Sequence, residues 1–323
     1  MERLDHFMAR ANAAYYADKN PFADFTTSPE LCQAFGEVLG AWCAVMWQAM
    51  GQPDEFLLAE AGPGRGTLMA DARRVLARVA PDCHAAARLH LIETSPRLRA
   101  IQAERLGDAV WHERIESLPD GPLILLANEF LDALPIRQFV RRGTGWVERY
   151  VAAGAFVERP SGSPGWNAAE GGVVEINEVA QAIVAQLAAR LALQGGVALL
   201  IDYGTAVSTP GDSLQALFNG EPADPLAHVG AADITAHVDF AALALVARDQ
   251  GAAVFGPVTQ GKFLTALGLM PRAQALARTQ APRQASDIMA TAQRITEPDR
   301  MGTLFKVLAV CHPDQPLPPG FAA

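Results

Sequence analysis

The sequence predicts an α/β fold: a mostly parallel sheet of seven strands with helices on both faces, preceded by a helical segment and interrupted by β-hairpins and loops. Three observations carry that expectation. Short apolar runs that end in polar residues recur along the chain, among them 56–59, 89–92, 122–127 and 197–201, each of strand length. Helical patterns separate most of them, the alternation that a parallel sheet requires. The first run reaches Glu60, then three glycines at alternate positions, Gly62, Gly64 and Gly66, then a helical pattern, which reads as strand, tight turn, helix.

Taken in order, Leu4, Phe7, Met8, Ala11 and Tyr15 fall at helical spacing and predict a short amphipathic helix within residues 1–20. A turn-rich segment, 20–30, follows. Ser28 then reads as an N-cap, with Pro29 at the first helical position and Leu31, Phe35, Val38, Leu39 and Trp42 on one face. Beyond the glycine turn, residues 68–79 form a helix, 89–92 a buried strand ending in Glu93, 96–106 a helix, 110–112 a short strand and 122–127 a strongly apolar one. Residues 136–159 alternate around Gly143, Gly145 and Gly154, the mark of β-hairpins, and a Pro/Gly/Ser-rich link spans 159–165. Residues 176–193 are helical, and 197–201 form a strand ending in Asp202-Tyr203-Gly204.

The polar segment 205–237, which holds His228 and His237, reads as a long loop of the kind that serves as lid or binding loop or is disordered. A helix (240–249), a strand (253–258), helices over about 262–295 and a last strand (303–311) complete the pattern, and the tail from Pro313 is expected to be loose. The organisation expected is a helical segment and loop (1–50), a domain (51–312) with insertions at about 136–175 and 205–237, and a tail (313–323).

Composition narrows the function. A chain of 323 residues that is 50% hydrophobic can bury a sizeable core. Its net charge of −9 and pI near 5.3 argue against a nucleic-acid surface, which needs clustered Lys and Arg. An acidic balance suits a basic partner, such as an arginine-bearing protein. The cysteines, Cys32, Cys43, Cys83 and Cys311, form no C-x-x-C pair, so neither a zinc site nor a disulfide framework is indicated, and no metal is expected. No run reaches the ~20 apolar residues of a membrane span, and the start has no signal-peptide layout, so a soluble, cytoplasmic chain is expected. The residues leave the oligomeric state open.

Glycine admits positive φ and lets a ligand approach the main chain, and the helix that follows offers free N–H groups to a carboxylate or phosphate. A dinucleotide enzyme would need a further glycine where Thr67 stands. Glu93 sits where an acidic strand end accepts hydrogen bonds from ribose hydroxyls, or where it is merely solvated. The loop after the fourth strand should border the same crevice, and it brings Asn128, Glu129 and Asp132 there. Those groups can hold a guanidinium or amine by charge-assisted hydrogen bonds, unless both carboxylates simply face water. His237 reads as a general base or as a structural histidine.

Several stretches together resemble the MidA family, which includes the mitochondrial complex I assembly-factor arginine methyltransferases and their bacterial relatives. The matching residues are Asp24 to Glu30, Phe35-Gly36-Glu37, Gly62 to Met69, Glu93-Thr94-Ser95-Pro96, Ala127 to Pro135, Asp202-Tyr203-Gly204, Asp233 to Phe240 and Met301 to Val307. The E-x-G-x-G-x-G turn by itself resembles the first motif of the S-adenosylmethionine (SAM) methyltransferases. The resemblance implies a Rossmann-like fold, SAM as cofactor and, for the mitochondrial members, methylation of an arginine on a complex I subunit. Carried over, Glu60, Gly62, Gly64, Gly66 and Glu93 would hold SAM, and the segment Thr26 to Glu30, with Thr26 and Ser28 as its contacts, would fold over it. Asn128, Glu129 and Asp132 would be catalytic, and Phe130, Tyr203 and His237 would face a protein acceptor.

The chain departs from the family at Ala23 and across 214–221, where an Arg and a His are usual, and it begins nearer its first motif than the family pattern, which allows for another start codon. If 214–221 touches the acceptor, that departure favours an altered substrate or a non-catalytic SAM-binding docking factor. A small-molecule methyltransferase is a third reading, with the insertions closing a pocket.

Overall fold

Seven strands build the central sheet of the computed structural model, which describes residues 1–18 and 27–322. They are β1 (Phe56–Ala61), β2 (Ala87–Ile92), β3 (Val110–His112), β4 (Leu123–Asn128), β5 (Gly196–Thr205), β6 (Ala253–Thr259) and β7 (Phe305–Cys311). Their order is β3-β2-β1-β4-β5-β7-β6, with Val238–Asp239 adding a short parallel pairing to β5. The strands from β3 to β5 run parallel, and β7 is antiparallel to both its neighbours. The α/β fold expected from sequence is therefore present. Its strand order reverses between β1 and β4, and ligands of such sheets bind beyond the carboxyl ends of the strands at that place.

The apolar runs do not alternate because the sheet is covered on both faces. Along β5, Val197, Leu199 and Ile201 join a core with helices Gln33–Ala49 and Thr67–Val79, while Ala198 and Leu200 join the opposite core with helices Glu178–Gln194 and Phe240–Asp249. Glu37, buried within the first of these helices, is neutralised by Arg74 (2.6 Å) and by Arg272, which ties three helices together.

Four expectations change. The helix expected from Ser28 is two pieces, Ser28–Leu31 and Gln33–Ala49, broken at the extended Cys32, and its N-cap is Thr27. Ser28 is buried, with its N–H given to the side chain of Glu129, so the first turn is oriented by that carboxylate. The segment 205–237 holds a small antiparallel sheet, Gln215–Phe218, Glu221–Ala223 and Asp233–Thr235, in place of a long loop. Strands of three or four residues are too short to show an alternation. The turn Asn219-Gly220, with both residues at positive φ, was the available hairpin signal. The tail is not loose: Trp42 donates its indole N–H to the Pro319 carbonyl (3.1 Å), and Phe321 packs on Phe263.

The expected hairpins at 136–159 are strands Arg137–Arg142, Gly145–Ala152 and Ala155–Ser161. They join Val173–Ile176 and Glu2–Arg3 in a second sheet. Helix Leu4–Asp18 packs Leu4, Phe7, Met8 and Ala11 on Ile136, Val151 and Ile234, so it is seated on both insertions.

Helix Gln33–Ala49 crosses Thr67–Val79 at Gly40, where an added Cβ would lie 2.6 Å from the Cα and carbonyl oxygen of Ala72. Helix propensity favours alanine by ~1 kcal/mol. Backbone atoms at that distance cannot step aside, so Gly40→Ala is expected to lose about 1–3 kcal/mol overall through overpacking. Urea unfolding checks this, and an unchanged midpoint would contradict it.

Candidate active site

The strand-to-helix turn after β1 is built as its glycines require. Gly62, Gly64 and Gly66 all have positive φ (65°, 54° and 76°), and Gly66 is the left-handed cap of helix Thr67–Val79. An added Cβ at Gly62 would meet the Phe130 ring at 3.0 Å, and at Gly66 the Leu106 side chain at 2.9 Å. Gly62 and Gly64 line a cavity of about 510 Å³, a size typical of cofactor sites, whereas Gly66 packs beneath it.

Glu60, at the end of β1, also lines this cavity. It accepts the Met69 N–H, but its second carboxylate oxygen is buried and without a hydrogen-bond partner. Burial pushes its pKa up to about 8. Glu93, beyond β2, lines the cavity too, with Oε1 accepting from the Ser95 N–H (2.8 Å) and Oε2 from Gln102 Nε2 (3.3 Å). Burial raises its pKa as well. Gln102 donates also to the Gly64 carbonyl at 2.7 Å, so one fully buried amide fixes the glycine turn and the acidic strand end in register.

One side chain gathers the N–H groups of the loop after β4. Asp202 Oδ2 accepts three consecutive backbone N–H groups, from Phe130 (3.1 Å), Leu131 (2.9 Å) and Asp132 (3.2 Å). This turn sets Glu129 in the left-handed region (φ 52°) and its carboxylate in the cavity wall. Glu129 Oε1 accepts from Ser28 N (2.9 Å) and Asn128 Nδ2 (3.0 Å). Burial raises the pKa of Glu129, and burial with neighbouring carboxylates raises those of Asp202 and Asp132.

Of the residues singled out from sequence, Glu60, Gly62, Gly64, Glu93, Asn128, Glu129 and Phe130 share the cavity. Asp132 does not line it; buried beside Asp202, it is hydrogen-bonded to Tyr203. Tyr203 and His237 meet each other edge to face, with ring centroids 5.3 Å apart, and stand away from the cavity, as does Ser28. Thr26 lies outside the described residues. The divergent segment 214–221 pairs with the 233–235 strand and contributes nothing to the cavity wall.

Sequence reasoning missed Gln102, a polar residue in a polar helix. It also missed Asn12 and Tyr16 of the first helix, which stand in the wall. Glu30, which belongs to the 26–30 segment expected over the cofactor, also stands in the wall and accepts from the Thr67 hydroxyl (2.5 Å) at the start of the glycine-turn helix.

The residues present fit SAM. The orphaned oxygen of Glu60 suits an ammonium group, Glu93 suits ribose hydroxyls, and Ile92, Leu98 and Ile115 offer apolar surface for a base. Fold and site together define a SAM-dependent methyltransferase. The profile of a family described as S-adenosyl-L-methionine-dependent methyltransferases matches residues 38–258, and the chain belongs to that family.

Curated relatives agree. The chain is 34% identical to zebrafish (Danio rerio) mitochondrial protein arginine methyltransferase NDUFAF7, over 89% of this chain and 76% of the relative. It is 32% identical to the Drosophila melanogaster homolog, over 96% and 80%. Among solved structures, an uncharacterised protein from Burkholderia thailandensis superposes with a TM-score of 0.82 at 28% identity, covering 99% of this chain and 90% of that one. A related protein from the same organism, solved with S-adenosylhomocysteine bound, gives 0.78 at 25% identity, covering 99% and 88%.

The native state retains the Glu60 proton to about pH 8, against an ordinary value of 4.5 that the unfolded chain approaches. Fewer protons are then bound on unfolding, so the unliganded protein should lose stability as pH rises through that interval. Glu60→Gln should lessen the loss. Urea unfolding at pH 5, 6.5 and 8 checks this, and parallel pH profiles for the two proteins would contradict it.

Proposed function

We propose that the protein is a protein arginine N-methyltransferase. The observation that carries this reading is the half-buried carboxylate Glu129, fixed in the wall of the cofactor cavity by Ser28 N and Asn128 Nδ2. The names of the zebrafish and fly relatives support an arginine acceptor. The family resemblance points further, to an acceptor on a subunit of respiratory complex I or a related protein.

The cofactor supplies an already activated methyl group, so the chain's task is to desolvate and align the nucleophile. Glu129 would accept guanidinium N–H groups, fix the guanidinium plane and keep positive charge on the nitrogens that are not methylated. Its raised pKa suits it to take the proton that the attacking nitrogen gives up. Phe130 and Leu134 exclude water beside it.

Neither insertion closes the cavity: no residue of 136–175 or 205–237 lines it. That removes the motive for a small-molecule pocket. The segment 214–221 does not line the cavity either, so the cavity wall holds no departure that favours a non-catalytic docking factor.

Glu129→Gln is expected to bind S-adenosylhomocysteine within about threefold of wild type and to lose about 100-fold or more in turnover. Calorimetry and mass spectrometry of methylated arginine read the two quantities. Unchanged turnover would remove Glu129 from the mechanism.

A further inference from the structure

The family profile begins at residue 38, yet Asn12, Ala13 and Tyr16 of helix Leu4–Asp18 stand in the wall of the catalytic cavity. Asn12 and Tyr16 are four residues apart and share one helix face. Directed hydrogen bonds hold that face in place. Asn12 Nδ2 donates to the carbonyls of Ala133 (2.9 Å) and Ile234 (2.7 Å), and its side-chain oxygen accepts from Ile234 N (3.2 Å). The Tyr16 hydroxyl donates to Asp233 Oδ1 (2.9 Å). The helix is thereby pinned both to the loop that carries Glu129 and to the 233–235 strand. Val179 and Ile183, one turn apart on helix Glu178–Gln194, join Ala133 and Leu134 in apolar lining of the same cavity.

We propose that helix Leu4–Asp18 is the acceptor-selecting wall of the active site and that Tyr16 is its specificity-determining residue. Tyr16 lines the cavity and its hydroxyl hydrogen is committed to Asp233, so a ligand group that reaches its oxygen meets lone pairs only. Lone pairs receive an N–H donor and disfavour a carboxylate or phosphate. Glu129 adds negative charge in the same wall, and the small side chains of Ala13 and Ala133 leave room between the apolar walls. The chemistry selected is a slim, unbranched aliphatic stem that ends in a cationic N–H-rich head. The inference rests on the methyltransferase assignment and deepens the arginine reading.

The test measures tritium transfer from SAM to two peptide libraries, Gly-Xaa-Arg-Xaa-Gly and Gly-Xaa-Lys-Xaa-Gly, alongside calorimetric titration with S-adenosylhomocysteine. Two variants are used, because Tyr16 is packed whereas Ala13 is exposed and tolerates bulk without refolding. Tyr16→Phe is expected to raise the acceptor KM about tenfold with kcat within twofold, the loss of one hydrogen bond to a charged group. Ala13→Trp is expected to obstruct the acceptor and lower transfer at least tenfold. Both should bind S-adenosylhomocysteine as wild type does. Label entering the lysine library instead, with the same response to both variants, would uphold the wall and sink the arginine reading. Wild-type transfer by both variants, or a loss of S-adenosylhomocysteine binding that accounts for the lost transfer, would overturn the proposal.

Discussion

The site depends on one buried carboxylate. Asp202, at the end of β5, gathers the N–H groups of Phe130, Leu131 and Asp132 onto a single oxygen and takes the Tyr203 N–H on the other. A chain leaving β4 would otherwise have to satisfy those donors in a crevice that water must vacate, and an unpaired buried N–H costs about 1–3 kcal/mol. With them satisfied, Glu129 can occupy a left-handed conformation that a non-glycine residue seldom holds. The local strain is thus placed at a residue of the cavity wall, and the compensating bonds stand behind it.

Two halves of the cavity follow from that anchor. The cofactor side is a property of the sheet: a glycine turn after β1, an acid after β2, and Gln102 bridging them. The other side is assembled from segments far apart in sequence, helix Leu4–Asp18, the loop after β4 and helix Glu178–Gln194. The two insertions do not reach the ligand space. They seat the first helix, through Ile136, Val151 and Ile234, and so act on the cavity through its wall. The carboxyls collected here all have raised pKa values, Glu129 through burial and Asp132 and Asp202 through burial together with neighbouring carboxylates.

The cofactor half was legible in the sequence because its chemistry is local. A turn that needs three positive φ values must be written in glycine, and an acid at a strand end is visible wherever the strand is. Loop-after-strand logic likewise brought Asn128 and Glu129 to the crevice. Asp132 was misplaced because its carboxylate faces Tyr203 behind the turn, and no periodicity reports which way a loop side chain points. Ser28 looked like a cap by residue type, but the partner that decides its place, Glu129, is 101 residues away. Asn12 and Tyr16 carry no local signal at all, since the partners of Asn12 are 121 and 222 residues distant and that of Tyr16 is 217 residues distant.

A crystal structure of the protein with S-adenosylhomocysteine bears most directly on this arrangement. The amino-acid end should lie against Gly62 and Gly64 with its ammonium on Glu60, and the ribose on Glu93, while the 130–132 turn stays on Asp202. A ligand seated elsewhere, or bound only after that turn has left Asp202, would contradict the assignment of the site.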